Sequence, residues 1–401
     1  MKFIIDLADN LTSEEVDALV ASSGWTVLKK FEQLGNIILV ESAQEIAVGG
    51  NIESVVRDDS QPIQLLSQYD LTQPAENLTF STSAQNDWWK SYTFNDIDHQ
   101  QATIDVPRFG GNAIIYVVDS GIKSDHAEFT GRTITNLFSF NGDFTDTNGH
   151  GTALASVMVG NQCGITDAHV KSVKIFQSGV PTYQSDMLAA FDAIMRDIVD
   201  NPKSVPIVNL SWSIAKNTYI EDKIRLLIAG GALVVVAAGN GGMAIADVTP
   251  AGMAEVCTVG SYGKDLKPCS FSNYTGDLST TLGDTNHGAI DVWAPGEQIS
   301  IALLDGTVGH GAGTSISAAI HSAAVAYNSF AAVLTDGTPV AQLMMGGVDY
   351  LRAHSGREGM LILEGVYAGS VNWSTRFTTT YDGDDGTSYP NTSKFNAFTE
   401  S

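Results

Sequence analysis

Three separate segments of the chain each carry one residue of a type used in nucleophilic hydrolysis. That chemistry needs a hydroxyl that attacks, an imidazole that takes its proton, and a carboxylate that orients the imidazole. Asp119 ends the apolar run IIYVVD, His150 lies in NGHGT, and Ser315 lies in GAGTSISAAI, where a helix of small residues is expected to begin. Together they predict a hydrolytic centre with Asp119, His150 and Ser315 as its catalytic groups.

Each of these residues also has an ordinary structural explanation. An Asp at a strand end is commonly a turn residue, a His in a glycine-rich turn is commonly a cap or a surface residue, and a Ser that opens a helix is commonly an N-cap. Their joint occurrence, each in a context that suits its role, favours catalysis.

The motifs around these residues resemble those of one known family. DSGI at Asp119, HGT at His150, AAGN ending at Asn240 and GTSISA at Ser315, in this order, resemble the subtilisin-like serine peptidases, or subtilases. VNLSWS, TPAGMAEVCTVGS and DVWAPG are similar as well, and the resemblance runs over about residues 88–372. It implies a serine endopeptidase that hydrolyses peptide bonds of polypeptide substrates through an acyl-enzyme.

The resemblance also implies roles for further residues. Asn240 would donate its side-chain N–H to the oxyanion beside the backbone N–H of Ser315, although an Asn after Gly239 also tolerates unusual backbone. Ser211 to Ser213 would form an edge strand that pairs with the substrate backbone, and an ordinary strand role for Ser211 stays open. The implied substrate-binding residues are Ser211, Trp212, Ser213, Ala237, Ala238, Gly239, Thr249 and Pro250, followed by Ala251.

The chain departs from the family pattern at several positions. Ala153 and the pair Ala319-Ile320 stand where relatives carry residues without chemical roles, so activity is still expected. Trp212 and Ser213 stand where smaller residues are usual, which leaves side-chain specificity open. The loop NQCGIT is too short for a calcium site seen in relatives, and YDGDDG near the end is either a calcium ligand or a solvated acidic turn. We therefore expect no required cofactor and leave calcium open.

The elements that must position these residues alternate along the chain. Apolar, β-branched runs such as NAIIYVVDSG, VPIVNLSWS and ALVVVAAGN are separated by helical patterns such as YQSDMLAAFDAIMRDIVD. This alternation predicts an α/β fold with a mostly parallel sheet sandwiched by helices. In such sheets the chemistry lies at the carboxyl ends of strands, where Asp119, Ser211 and Asn240 fall.

Residues 1–60 precede this domain and predict a small αβ sandwich of ferredoxin-like strand-helix-strand-strand-helix-strand order. By position and pattern it resembles the family's inhibitory prodomain, and an unrelated docking module is the alternative. Residues 61–87 read as a linker with a maturation site, 88–372 as the catalytic domain and 373–401 as a polar tail. The resemblance predicts a self-made cut between Ser60 and Asp87, with the prodomain staying bound as an intramolecular inhibitor.

Composition excludes several classes of function. The 401 residues are 43% hydrophobic and carry a net charge of −24, so nucleic-acid and membrane-surface binding are disfavoured. Three cysteines make no disulfide framework, and Asp6 and Asp9 interrupt any secretory signal. We expect no signal peptide, and a cytoplasmic protein or one assembled into a particle.

A different class of function also fits part of the sequence. A structural or assembly protein of a larger particle, such as a virion, could keep the peptidase fold with its prodomain uncleaved. The intact set of catalytic residue types argues against a purely structural role.

Overall fold

The computed structural model describes residues 1–61, 63–65, 68–69, 88–93, 108–265, 267–275, 290–332 and 359–360. The predicted polar tail and most of the predicted linker lie outside these residues.

The N-terminal unit is a four-stranded antiparallel sheet with one helix. Its elements are β1 (Lys2–Leu7), α1 (Ser13–Ser23), β2 (Thr26–Phe31), β3 (Ile37–Glu41) and β4 (Ile52–Arg57), and the strand order is β2-β3-β1-β4. Thr12 and Glu15 form a capping box at the start of α1, and Gly24 ends the helix at φ 70°. The predicted second helix is wrong. Residues 42–51 are irregular, and Gly49 and Gly50 take φ values of 146° and 61° that a helix does not allow.

Successive apolar side chains along the strands of this unit point to opposite sides, so both faces of its sheet are apolar. Phe3, Ile5 and Leu7 pack with Val16 of α1 in a small core of their own. Ile4 on the opposite face belongs to the main core of the molecule, and so do the following residues of β2, β3 and the turn between them: Phe31, Leu34, Ile37 and Leu39. Because neighbouring side chains of a strand point to opposite faces, this sheet joins α1 to the rest of the chain.

Carboxylates of the N-terminal unit bind the helices beneath it. Those helices are α4 (Gln184–Asp200) and α5 (Thr218–Ala229). Asp58 accepts bonds from the backbone N and the Oγ of Ser185 in the first turn of α4, at 2.9 and 2.8 Å. Asp6 accepts from Tyr219 Oη and from Lys223 Nζ on α5, both at 2.6 Å. The unit is therefore docked by polar contacts as well as by apolar packing.

Three short strands follow the N-terminal unit: β5 (Ser60–Gln61), β6 (Gln64–Leu65) and β7 (Gln68–Tyr69). They pair with strands of the large domain, which are described next. The helix α2 (Trp88–Thr93) then begins the large domain, and the indole Nε1 of Trp88 donates to Glu297 O at 3.0 Å.

The large domain is built on a parallel sheet of eight strands. Its strands and those of the small sheets beside it are β8 (Ala113–Asp119), β9 (Ile134–Ser139), β10 (His169–Lys174), β11 (Thr182–Tyr183), β12 (Val205–Leu210), β13 (Trp212–Ala215), β14 (Leu233–Ala237), β15 (Val248–Thr249), β16 (Cys257–Tyr262), β17 (Val292–Pro295), β18 (Ile299–Ala302), β19 (Val308–Ala312) and β20 (Gly359–Met360). The order in the large sheet is β20-β17-β16-β14-β12-β8-β10-β9.

Helices cover this sheet and complete the predicted α/β architecture. Besides α4 and α5 they are α3 (His150–Val159) and α6 (Thr314–Ala332). α3 and α6 pack against each other and against the sheet, and α4 and α5 form a second pair. The predicted sheet with its helices is confirmed, and within the described residues no helix is both long and apolar enough to cross a membrane.

Candidate active site

Asp119 and His150 are brought together at the carboxyl end of β8. Every residue of β8 is buried, and Asp119 at its end is 0% exposed. His150 is the first residue of α3, and its Nδ1 lies 2.8 Å from both carboxylate oxygens of Asp119. A carboxylate in this position fixes the orientation of the ring and stabilises the imidazolium that forms when the ring takes a proton.

Asp146, which the sequence analysis did not single out, organises the backbone around this pair. Its Oδ1 accepts from Ser120 Oγ, Asn148 N and Gly149 N at 2.9, 3.0 and 2.8 Å. Its Oδ2 accepts from Thr152 N and Oγ1 at 3.1 and 2.6 Å. The carboxylate is buried and links the segment after Asp119 to the first turn of α3.

The glycines of the two motifs allow these segments to approach each other. A Cβ added to Gly151 would lie 2.2 Å from Gly121 O, a distance that no side chain tolerates. Gly121 itself takes φ 108°, which favours glycine. Gly151 N donates to Ser120 Oγ at 3.0 Å across the same narrow gap. The segments DSG and HGT therefore pack directly against each other.

Ser315 lies in the first turn of α6 and faces β13. Its Oγ donates to Ser211 O at 3.1 Å, and Ser211 Oγ donates to Ser315 O at 3.3 Å. Both residues are fully buried. The predicted nucleophile thus lies beside the residues expected to bind the substrate backbone.

Asn240 is held by Thr314, the neighbour of Ser315. Its Oδ1 accepts from Thr314 N at 3.0 Å and from Thr314 Oγ1 at 2.9 Å, and the same hydroxyl accepts from Gly239 N at 3.0 Å. Because the amide oxygen is fixed on Thr314, the NH₂ group must point to the other side of the amide. The arrangement suits an N–H donor for an oxyanion.

The expected substrate strand is already paired on both edges. β13 lies between β15 and β6, with Trp212 opposite Leu65 and Ser213 opposite Gln64. The edge predicted to bind a substrate is thus occupied by the chain's own linker, in antiparallel pairing. On the far side Ile214 pairs with Thr249.

The expected pocket residues differ in their surroundings. Ala237 and Ala238 are fully buried where β14 ends. Thr249 donates from Oγ1 to Glu221 Oε1 at 2.6 Å and accepts there from Asn217 N at 2.9 Å, so its hydroxyl is used within the fold. Pro250 follows it after a cis peptide bond.

A further part of the linker pairs with the strand before α6. Gln68 of β7 pairs with Ala312, and Tyr69 pairs with Gly311, both in β19 just before α6. Leu65 therefore lies opposite β13, which follows Ser211, and Gln68 lies opposite β19, which precedes Ser315.

A guanidinium occupies the turn after α3, which contains the loop NQCGIT. Arg108 donates to five carbonyl oxygens at 2.6 to 3.3 Å, those of Val159, Gly160, Asn161, Gly164 and Thr166. Burial lowers the pKa of this guanidinium. The buried Glu128 accepts from the backbone N of Gln162 and Cys163 in the same turn, both at 2.9 Å. Carbonyl groups that already face a cation do not fit a calcium ion, so this site does not suit the metal.

The three cysteines are core residues. Cys163, Cys257 and Cys269 are buried, and none of them forms a disulfide. Burial raises the pKa of the Cys269 thiol to about 11, which disfavours the thiolate needed for a cysteine nucleophile. No cluster of three His, Cys, Asp or Glu side chains suited to a metal occurs in the part of the chain that the structure describes.

Residues 110–345 match the Subtilase family of peptidases, a span that contains all three predicted catalytic residues. The chain belongs to the subtilase family. Among curated subtilases it is 38% identical over 187 residues to a Subtilisin-like protease 2 from Trichophyton verrucosum, and equally to one from Arthroderma benhamiae. Each match spans 46% of this chain and only 42% of the relative's length.

Solved structures share the subtilase fold at low sequence identity. An epidermin leader peptide processing serine protease from Staphylococcus aureus matches 88% of this chain and 92% of its own, with 17% identity and a TM-score of 0.62. A cold adapted subtilisin-like serine proteinase matches 65% of this chain and 91% of its own, with 24% identity and a TM-score of 0.54. These likenesses support the fold.

Sequence analysis missed three residues of this site. Asp146 and Thr314 lie close to His150 and Ser315 in the chain, and their polar side chains next to the motifs were the available signal. Asn273, which binds the backbone on both sides of Asn240, lies far from that residue in sequence. Nothing local marks it.

Proposed function

We propose that this chain is a serine endopeptidase in which Asp119, His150 and Ser315 act as a catalytic triad. The observation that carries the proposal is the buried Asp119–His150 pair, with both carboxylate oxygens 2.8 Å from Nδ1, next to a cleft strand that binds an extended segment. A peptide bond must lie extended beside the nucleophile to be cut. The subtilase membership of the chain supports the same conclusion.

The proposed reaction proceeds in two halves. Ser315 Oγ leaves its bond to Ser211 O and attacks the substrate carbonyl carbon, while His150 Nε2 takes the hydroxyl proton. The C–N bond then breaks, and His150 returns that proton to the leaving amine. In the second half, His150 Nε2 takes a proton from water while the water oxygen attacks the ester carbonyl carbon; the C–O bond to Ser315 then breaks, His150 returns the proton to Ser315 Oγ, and the carboxylic acid product leaves. Asp119 accepts the hydrogen bond from His150 Nδ1–H throughout and keeps the ring in place.

Asn240 Nδ2 and the backbone N–H of Ser315 stabilise the oxyanion in both halves. Thr314 supports this role because its N–H and hydroxyl fix the amide oxygen of Asn240. The start of α6 adds a favourable dipole for negative charge. All these donors belong to the chain, so the proposed reaction requires no cofactor.

The first substrate that we propose is the chain itself. Gln64 and Leu65 pair with β13, which follows Ser211, and Gln68 and Tyr69 pair with β19, which ends just before the helix that carries Ser315. We infer that the cut falls in the interval between Leu65 and Gln68, with the central bond Leu66–Ser67 as the expected one. This narrows the interval between Ser60 and Asp87 predicted from the sequence.

Residues 1–60 then act as an inhibitor. The docking of Asp58 on α4 and of Asp6 on α5 supports retention after the cut, because neither contact involves the bond that breaks. A tethered ligand also has a high effective concentration, so the first cut needs no second molecule.

Intact-mass measurement of wild type and Ser315→Ala tests both parts of the proposal. Wild type should give two fragments that purify together, the first ending at Leu66, and should react with a fluorophosphonate probe. Ser315→Ala should stay one chain, take no label and lose peptide hydrolysis by several orders of magnitude. Undiminished peptide hydrolysis by Ser315→Ala would falsify the proposed peptidase function. A wild type that hydrolyses peptides but stays one chain would contradict self-processing alone.

A further inference from the structure

The side chain of Asn273 binds the backbone on both sides of Asn240. Its Nδ2 donates to Ala238 O at 2.9 Å, and its Oδ1 accepts from Gly241 N and Met243 N at 3.0 and 3.1 Å. The backbone N of Asn273 donates to Gly239 O at 2.9 Å. Four hydrogen bonds from one residue thus surround the segment that carries Asn240.

From these contacts we propose that Asn273 is a positioning residue that sets the oxyanion donor Asn240 in place, an inference that rests on the proposed peptidase function. Asn273 is 3% exposed, so water does not compete for its amide. Two of its partners precede Asn240 and two follow it. The backbone of Asn240 therefore cannot rotate without breaking bonds to a buried group.

The glycine before Asn240 is adapted to this amide. A Cβ added to Gly239 would lie 2.2 Å from Asn273 Nδ2, and Gly239 takes φ 108°. The glycine of AAGN therefore leaves space for a side chain from a distant part of the chain.

Thr314 and Asn273 together hold Asn240 in place. Thr314 fixes the amide oxygen of its side chain, and Asn273 fixes the backbone from which that side chain extends. Oxyanion donors act on charge that develops only in the transition state, and their effect depends on placement within a fraction of an ångström. Loss of Asn273 should lower kcat and leave KM nearly unchanged.

Conservative replacements at Asn273 cannot reproduce its pattern. An aspartate keeps the acceptor for Gly241 N and Met243 N but sets a second oxygen against Ala238 O. A serine or alanine leaves Gly241 N, Met243 N and the carbonyl of the buried Ala238 without this partner. Asn273→Asp preserves the volume of the side chain while it replaces the donor by an oxygen and adds a carboxylate, which makes it a useful second variant if Asn273→Ala folds poorly.

A double-mutant cycle tests the inference. Asn273→Ala, Asn240→Ala and the double variant are compared by kcat, KM and inhibition by a peptide aldehyde, which forms an oxyanion when Ser315 adds to it. We expect Asn273→Ala or Asn273→Asp to lower kcat about 10-fold to 100-fold and to weaken aldehyde inhibition similarly, since a misplaced donor loses part of the roughly 100-fold or larger effect known for removal of one. The double variant should be no slower than Asn240→Ala.

The matched control is Asn201→Ala, which removes a half-buried Asn that donates to Asp197 O at the end of α4. Its kcat should equal that of wild type even where its stability falls. The inference would be overturned if the losses in kcat of the two single variants multiplied in the double variant. It would also be overturned if folded Asn201→Ala lost as much kcat as Asn273→Ala. The proposed peptidase function would still stand after either result, provided that Ser315→Ala is inactive. Failure of this inference can therefore be told apart from failure of the proposed function.

Discussion

Asp146 accepts five hydrogen bonds from the two segments that carry Asp119 and His150. Its charge also lies at the N-terminus of α3, where the exposed N–H groups of the first turn favour an anion. The carboxylate therefore holds the start of α3 against the end of β8. The geometry of the Asp119–His150 pair depends on this contact.

Asp146→Asn should lower kcat/KM about 10-fold to 100-fold and lower the melting temperature. The amide has one acceptor oxygen, so its NH₂ group must face backbone N–H groups that now lack a partner, at about 1–3 kcal/mol for each such loss. Steady-state kinetics and thermal unfolding measure the two effects.

Asp143→Asn is the control for that variant. Asp143 belongs to the same loop and accepts from Thr145 N at 2.9 Å, but its side chain is exposed. Its replacement should change kcat/KM less than 2-fold, in line with the small energies of exposed polar contacts. Equal losses in both variants would mean that any change in this loop disturbs catalysis.

At the scale of the elements, the turn after α3 depends on Arg108 and Glu128. Arg108 binds its carbonyl groups and Glu128 binds its N–H groups, so the turn has an internal cation and an internal anion. Arg108→Gly should lower the melting temperature by several degrees because five carbonyl oxygens lose their donor. Low millimolar methylguanidine should partly restore it.

Arg132→Gly serves as the matched control, because Arg132 binds Asn161 Oδ1 from the outer side of the same turn. Its melting temperature should not respond to methylguanidine. A chelator should leave wild type unchanged if Arg108 supplies the cation at this turn, whereas a large drop on chelation would show that a metal ion contributes to stability.

The helix α6 carries a buried titratable group. Burial lowers the pKa of His321 to about 4, and no described residue bonds to its Nδ1. The unfolded chain binds this proton near pH 6.5 and the folded chain does not, so stability falls as the pH drops from about 6.5 to about 4. Below that range both states are protonated, and the loss is complete.

His321→Leu should remove that part of the pH dependence. In the Ser315→Ala background, which prevents self-digestion, the free energy of unfolding of the two proteins should diverge on acidification, by on the order of 3 kcal/mol at pH 4. Urea unfolding at pH 8 and pH 4 measures the difference. If the free energies of unfolding of the two proteins changed in parallel with pH, His321 would gain its proton in the folded chain as readily as in the unfolded chain.

At the scale of the whole molecule, Asp6 binds Tyr219 and Lys223 of α5, and under the proposed self-processing we expect this contact to set how long the cut N-terminal unit stays bound. Lys223 and Asp6 are 9% and 18% exposed, so their ion pair is shielded from water. Removal of one partner of such a pair costs about 2 kcal/mol or more, which is roughly 30-fold in an equilibrium constant. Asp6→Ala should therefore shorten the lag before peptide hydrolysis begins.

Asp17→Ala is the control for this prediction, because Asp17 pairs with Lys30 within the N-terminal unit and is 63% exposed. Its lag should match that of wild type in a continuous peptide assay. If both variants shorten the lag equally, general instability of the unit is responsible and the Asp6 contact is not.

The sequence by itself determined the strands and helices of the large domain and the chemical groups of the proposed catalytic site. The alternation of buried strands with helices predicted the parallel sheet, because periods of 2 and 3.6 residues are local properties. Asp119, His150 and Ser315 were recognisable because the glycines and small residues that their backbones require are sequence neighbours. The helix expected before β4 was wrong because Gly49 and Gly50, at positive φ, form a turn instead.

The tertiary structure alone decided what the distant residues do. Asn273 binds the segment around Asn240, Arg108 binds the turn after α3, and the linker pairs with β13 and β19. None of these contacts has a local pattern, because a hydrogen bond between residues far apart in the chain constrains only their positions in space. The residues that pair with the predicted substrate strand are decided in the same way, because they depend on where the N-terminal unit docks.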